Sequence, residues 1–270
     1  MMKRALSAWS GLLLAAGIWL SPTAQSSDLD KKLEEATEVV NTFHAIPEQG
    51  IPTALLERAY AIAVIPDMIK AGFVVAGRHG RGVISTRTDT GWSDPAFIKL
   101  TGGSIGWQAG VQAADLVLVF TNKRGVENLS RGKFTLGADA AVAAGPLGRN
   151  TSAATDHRLK AEVYSYSRAR GLFAGVSIQG ASLRMDHNAN ASYYVRPGIT
   201  PDEIFSGNIV ARPDSIAPFR QSLNASTAVD NERSSAQVAE SGNNNQQPAE
   251  REASGVTTYA IGERTAEDSD

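Results

Sequence analysis

The chain has 270 residues, 42% of them hydrophobic and 20% charged, with a formal charge of −2. This is enough chain for one sizeable core, and its near-neutral balance argues against a nucleic-acid partner. The complete absence of cysteine excludes disulfides, thiol catalysis and thiolate metal sites.

At the start, Lys3 and Arg4 precede a short apolar run, Leu12–Leu20, and Ser21-Pro22-Thr23-Ala24 supplies small residues for cleavage. The run is too short to span a bilayer comfortably. Residues 1–24 therefore read as a secretory signal peptide, and the protein as exported, periplasmic or extracellular, and membrane-associated. Ser27–Phe43 is predicted as a helix with Ser27 and Asp30 as its capping box. Leu29, Leu33, Ala36, Val40 and Phe43 share one face, and Lys31, Lys32, Glu34, Glu35 and Glu38 the other. A second helix is predicted from Pro52 or Thr53 to Tyr60. Pro66 ends the apolar run Ala61–Ile65, and a turn is expected over Asp67–Lys70.

From Gly72 the pattern becomes β. Phe73-Val74-Val75 and Val83–Thr86 flank "AGRHGRG", which predicts a hairpin with Gly80 and Gly82 at its tip. Strands are expected at Ala96–Leu100, Leu116–Phe120, Phe134–Ala144, Glu162–Ser167 and Leu172–Met185, with Leu116–Phe120 apolar on both faces and so central. Gly125–Arg131 reads as a short helix or turn, and Pro201–Phe205 as one helical turn. After Pro213, Ser, Asn, Gln, Ala and Glu dominate, and residues 221–270 carry nine acids against three bases. Residues 213–270 are therefore expected to be a disordered acidic tail, leaving residues 25–212 as the folded domain.

Gly102-Gly103-Ser104-Ile105-Gly106 spells the G-x-S-x-G of a serine-hydrolase elbow. The residues after Ser104 alternate between a small-polar and a bulky side, which suits a strand better than the helix an elbow requires. A serine hydrolase centred on Ser104 is thus the lesser reading. His44, His79, His157 and His187 are scattered with no metal-ligand spacing, and no phosphate-loop motif is present, so no cofactor or metal is expected. The basic residues at predicted turns, Lys70, Arg78, Arg81, Lys123 and Arg124, together with Lys31 and Lys32 of the first helix, are candidates for an anion-binding rim.

The stretches "AIAVIP", "AGFVVAGR", "GRGVIS", "WSDPAFIKLTGGSIGWQAGVQAADLVLVF", "GVENLSRGKFTLGADAAVAAGPLGRN" and "YSYSRARGLFAGVSIQGASLR" resemble the SYLF domain, over about Asp28 to Phe205. This is a lipid-binding family of yeast and animal cortical-actin proteins and of stand-alone bacterial exported proteins. The resemblance implies a non-enzymatic domain that binds phosphoinositide or other anionic phospholipid head groups. Binding would use basic residues and the N-terminal amphipathic helix, Ser27–Phe43. A protein partner at the envelope is the other expectation, and actin is not expected as a partner of an exported protein. The expected fold is α+β, with N-terminal helices packed on a strongly bent antiparallel β-sheet or barrel.

Overall fold

The computed structural model describes residues 23–45, 50–73, 75–105, 110–146, 161–169, 171–207, 209 and 213–227. The charged and apolar parts of the predicted signal peptide, and the acidic tail beyond residue 227, lie outside the described residues. Two helices, α1 (Thr23–Ala45) and α2 (Thr53–Glu57), precede five strands: β1 (Ala61–Phe73), β2 (Val75–Thr88), β3 (Gly91–Trp92), β4 (Ala96–Ile105) and β5 (Gly110–Phe120). Helix α3 (Lys123–Ser130) leads into β6 (Lys133–Thr135), β7 (Val142–Ala144), β8 (Val163–Ala169), β9 (Leu172–Gly175) and β10 (Ser182–Met185). Helices α4 (His187–Tyr193), α5 (Pro201–Phe205) and α6 (residues 216–227) close the described chain. Among the described residues no helix is long and apolar enough to cross a membrane.

The ten strands form one strongly bent sheet in the order β6-β10-β4-β2-β1-β5-β8-β7, with β3 attached to β2 and β9 to β8. The expected α+β class holds. Neighbouring strands run antiparallel except β7 and β8, which are parallel, so the sheet is mixed rather than wholly antiparallel. Leu116–Phe120 lies between β1 and β8, fully buried as its two-sided apolar pattern requires.

Helices cover both faces of the sheet. Val64, Val83, Phe97 and Val117 point to one face, where α1 packs on β1 and β2 and the Tyr193 ring of α4 meets Phe97 at 4.9 Å. Ile65, Ile84, Ile98, Leu118 and Phe120 point to the other, where Gly125 of α3 lies against the Phe120 ring. The predicted apolar stripe of α1 is the face that packs: Leu29, Leu33, Ala36, Val40 and Phe43 are all buried. Ser27 and Asp30 lie within the helix rather than capping it, and the Asp30 carboxylate accepts a hydrogen bond from Ser215 at 2.6 Å.

Strand β1 does not stop at Pro66. It runs on through a β-bulge: Val64 pairs with Val83 and Ile69 with His79, so β1 carries one residue more than β2 over this interval, and likewise against β5. Proline, with no N–H to give to a ladder, suits this position. Asp67 takes a left-handed conformation (φ 48°), and its N–H donates to the Asp115 carboxylate at 3.1 Å. Asp115 also pairs with Arg168 at 3.6 Å. Gly80 and Gly82 are not a hairpin tip. They sit inside β2 against the bulge, where a Cβ at Gly82 would lie 2.0 Å from the Val64 carbonyl oxygen.

The predicted long strands Phe134–Ala144 and Leu172–Met185 are each broken in two, because turns with left-handed glycines, Gly137 and Gly180, interrupt them. The boundary placed at Pro213 also moves. Residues 216–227 are helical, and Ile216, Phe219 and Leu223 are buried in the core. Arg220 donates to the Trp92 carbonyl at 2.8 Å and pairs with the buried Asp94, while Ser222 donates to Asn41 of α1.

Candidate anion-binding site

The seven basic residues expected to form a rim fall into three places. Lys31 and Lys32, on α1, share with Arg81 of β2 a cleft of about 260 Å³, whose lining also includes the acids Asp28, Glu35 and Asp186. Lys70 and Arg78 are direct cross-strand partners on β1 and β2, on the opposite face of the sheet from Arg81, since Arg78 and Arg81 stand three residues apart. Lys123 and Arg124 open α3, which packs on the face of the sheet opposite Arg81. Lys123 pairs with Glu127 at 3.1 Å, a hydrogen bond that raises its pKa, and Arg124 pairs with Glu162 at 3.5 Å. Lys123 also borders a second cleft, of about 250 Å³, whose lining includes Glu127 and Asp202. Both clefts are of mixed charge, and neither by itself suits an anion.

The site that does concentrate positive charge includes two residues that reasoning from turns missed. Arg81 lies opposite Lys99 of β4, and Lys99 lies opposite Arg184 of β10. Lys133 of β6 holds the next register position after Arg184. Four basic residues thus occupy consecutive positions across four adjacent strands. Like charges directly opposite one another on a sheet are destabilising. Within the row Lys99 is offset by Asp186, buried, at 2.9 Å, and Asp28 and Glu35 of α1 line the cleft at the Arg81 end. Arg81 and Arg184 are exposed and form no ion pair with the described residues. Lys31 and Lys32 approach the Arg81 end, although both are turned toward Glu35 on their own helix, Lys31 at 3.9 Å.

The signal for Lys99 and Arg184 was present in "FIKLT" and "SLRM", where a lone base interrupts an apolar strand. Only the pairing of β2, β4 and β10 reveals that they are neighbours. The arrangement can bind an anion with several oxygens: the guanidinium groups as forks, the ammonium groups as point charges.

Ser104 lies within β4, opposite Ala76 of β2. A hydrolase elbow needs a sharp turn between a strand and a helix. Ser104 instead continues a regular antiparallel ladder, which removes the basis for the hydrolase reading. His157 lies outside the described residues. Among the described residues no group of acids and histidines is placed to hold a metal.

A family profile described as Ysc84, Las17-binding protein actin regulator, matches residues 101–226. The SH3 domain-containing YSC84-like protein 1 of Xenopus laevis is 34% identical over 208 residues, covering 74% of this chain and 62% of the relative. The protein of the same name from Homo sapiens is 35% identical over 175 residues, covering 62% and 51%. Protein YSC84 of Saccharomyces cerevisiae is 38% identical over 170 residues, covering 62% and 36%. The chain therefore spans less than two thirds of the length of these relatives. The family's description names an actin regulator, which runs against the expectation that actin has no part. The match to the family ends at residue 226, one residue before the end of α6, so the profile and the packed C-terminal helix mark the same boundary. By these matches and by the sequence motifs that prefigured them, the chain belongs to the Ysc84, or SYLF, domain family.

Proposed function

We propose that this domain is a non-catalytic module that binds anionic phospholipid head groups, phosphoinositides among them, on the sheet face that carries Arg81, Lys99 and Arg184. The observation behind the reading is the row Arg81, Lys99 and Arg184 on adjacent strands, in which Lys99 pairs with Asp186 while Arg81 and Arg184 form no ion pair with the described residues. Such a row is costly unless an anion occupies it. Lys31 and Lys32 extend the basic surface from α1, and Lys70 and Arg78 add charge on the other face of the same strands. The apolar face of α1 takes no part in this reading while it is buried against β1 and β2. The leader pattern in residues 1–24 supports action at the cell envelope.

Co-sedimentation with phosphatidylcholine vesicles, with and without phosphatidylserine or a phosphoinositide, tests the reading. We expect pelleting only with the anionic vesicles, and a loss of at least about tenfold in affinity for the Arg81→Glu/Arg184→Glu variant, as two attractive charges become repulsive. The Lys123→Glu/Arg124→Glu variant should bind as the parent does. Equal pelleting with neutral vesicles, or none with either, overturns the proposal. A second reading, a protein partner on the same domain, is favoured by the family's description as Las17-binding. It gains if the protein pelleted with no vesicle and captured such a partner through residues 101–226.

A further inference from the structure

The same sheet face carries an apolar patch just beyond the row of bases. Ile69 lies opposite Ala113, and Ala71 opposite Val111, so these four side chains stand together on β1 and β5. Ile69 is 48% exposed and Val111 74% exposed. Gly77 lies opposite Ala71, and Gly103 opposite Gly77. A Cβ at either glycine would meet no atom within 4 Å, so among the described residues no helix covers the sheet at these two positions. Ile69 also pairs with His79, which is two residues from Arg81. The patch therefore begins one step, about 7 Å, beyond the basic row.

Bases outnumber acids around the patch: at its inner edge stand Asp67 and Asp115, the latter on the patch face and paired with Arg168. No acid occurs in Met68–Arg81, in Lys99–Ile105 or in Gly110–Ala114. Bases flank the patch on its own face through Arg81, Lys99 and Arg184, and on the reverse face through Lys70 and Arg78. An exposed apolar patch rimmed by polar groups marks a docking surface. A small apolar end with bases beside it on both faces complements a plane that is apolar within and anionic at its surface.

We propose that the outer end of β1 and β5, presenting Ile69, Ala71, Val111 and Ala113, inserts into the interface of an anionic phospholipid bilayer while the basic row engages the head groups. The inference rests on the lipid-binding reading above and adds the inserting element and the orientation. It assigns insertion to strands rather than to α1, whose apolar side chains stay in the core.

The absence of cysteine makes a single labelled thiol unambiguous. Val111→Cys carrying an environment-sensitive fluorophore should shift to shorter wavelength on addition of phosphatidylcholine–phosphatidylserine vesicles, and acyl-chain quenchers should quench it. The same label at Val195→Cys, a position 86% exposed in the turn after α4, should not respond. The Ile69→Asp/Val111→Asp variant should pellet at least about tenfold less well with an unchanged unfolding midpoint, because both positions are exposed. Binding of the protein with no response from the Val111 label overturns insertion while leaving lipid binding standing. No binding at all overturns both. If the Asp variant instead abolished self-association in the absence of lipid, the patch would belong to a second copy of the chain and the inference would fall.

Discussion

A Cβ on Gly82 would lie 2.0 Å from the Val64 carbonyl oxygen and 2.7 Å from the Ile65 Cα, both backbone atoms of the bulged strand. Neither can swing aside as a flexible side chain would. Gly82→Ala should therefore lower stability by about 1–3 kcal/mol, as overpacked core sites do. Gly77→Ala, which meets open space, should change it by no more than about 0.5 kcal/mol. Urea unfolding of the two variants beside the parent checks the contrast. In sequence these glycines looked alike, as punctuation in "AGRHGRG". What separates them is the backbone of another strand, which local pattern does not contain. The same is true of Arg81, Lys99 and Arg184: each was visible, but their adjacency is a property of pairing between distant segments.

At the scale of elements, helices α1, α2, α3 and α5 and the central strand β5 were legible because each has a strong local signature. For α5 the structure adds a cap at Thr200. Its hydroxyl accepts from the Glu203 N–H, and the Glu203 carboxylate accepts from the Thr200 N–H, which holds that carboxyl below its usual range. Helix α6 was hidden by averaging. Ile216, Phe219 and Leu223 have helical spacing, but the Ser-, Asn- and Gln-rich residues that follow dominate the composition. Burying those three side chains contributes roughly 6 kcal/mol, comparable with the whole stability of a domain. A chain ending at Thr227 should thus melt as cooperatively as the full chain. One ending at Arg212 should lose its cooperative transition, because α1 and Trp92 lose their cover. Circular dichroism melts of the two truncations decide it.

Over the whole molecule, sheet faces covered by helices leave phenolic groups shut in. Burial pushes the Tyr193 hydroxyl up to about 12, against the opposing effect of its bond with Ser215, and pushes Tyr166 upward as well. In the unfolded chain both ionise near 10. Below that pH neither affects stability. Above it the unfolded chain releases protons that the native state retains, so stability falls as pH rises from about 10 to 12, by at most about 1.4 kcal/mol per pH unit for each tyrosine. Chemical unfolding at pH 9 and pH 11 should reveal the loss, and Tyr193→Phe should reduce it. The Tyr166 ring has a further role that no sequence pattern announces: a Cβ on Gly145 would fall 2.1 Å from it.

The bulge at Pro66–Asp67 has a consequence for how such a sheet can change over generations. Side chains alternate along a strand, so a strand threading a core and then leaving it would ordinarily carry one alternation from end to end. The extra residue in β1 resets that count. Before it, Ile62 and Val64 serve the α1 face; after it, Ile69 and Ala71 do, and Lys70 is sent to the reverse side. The inner half can therefore be selected for packing and the outer half for what it meets in solution, each without dragging the other's pattern along. Removing one residue at the bulge would straighten β1 and leave both halves on their present sides, whereas straightening it with every residue kept would slide the outer end by one position and set Lys70 opposite Gly77, where the apolar patch now stands.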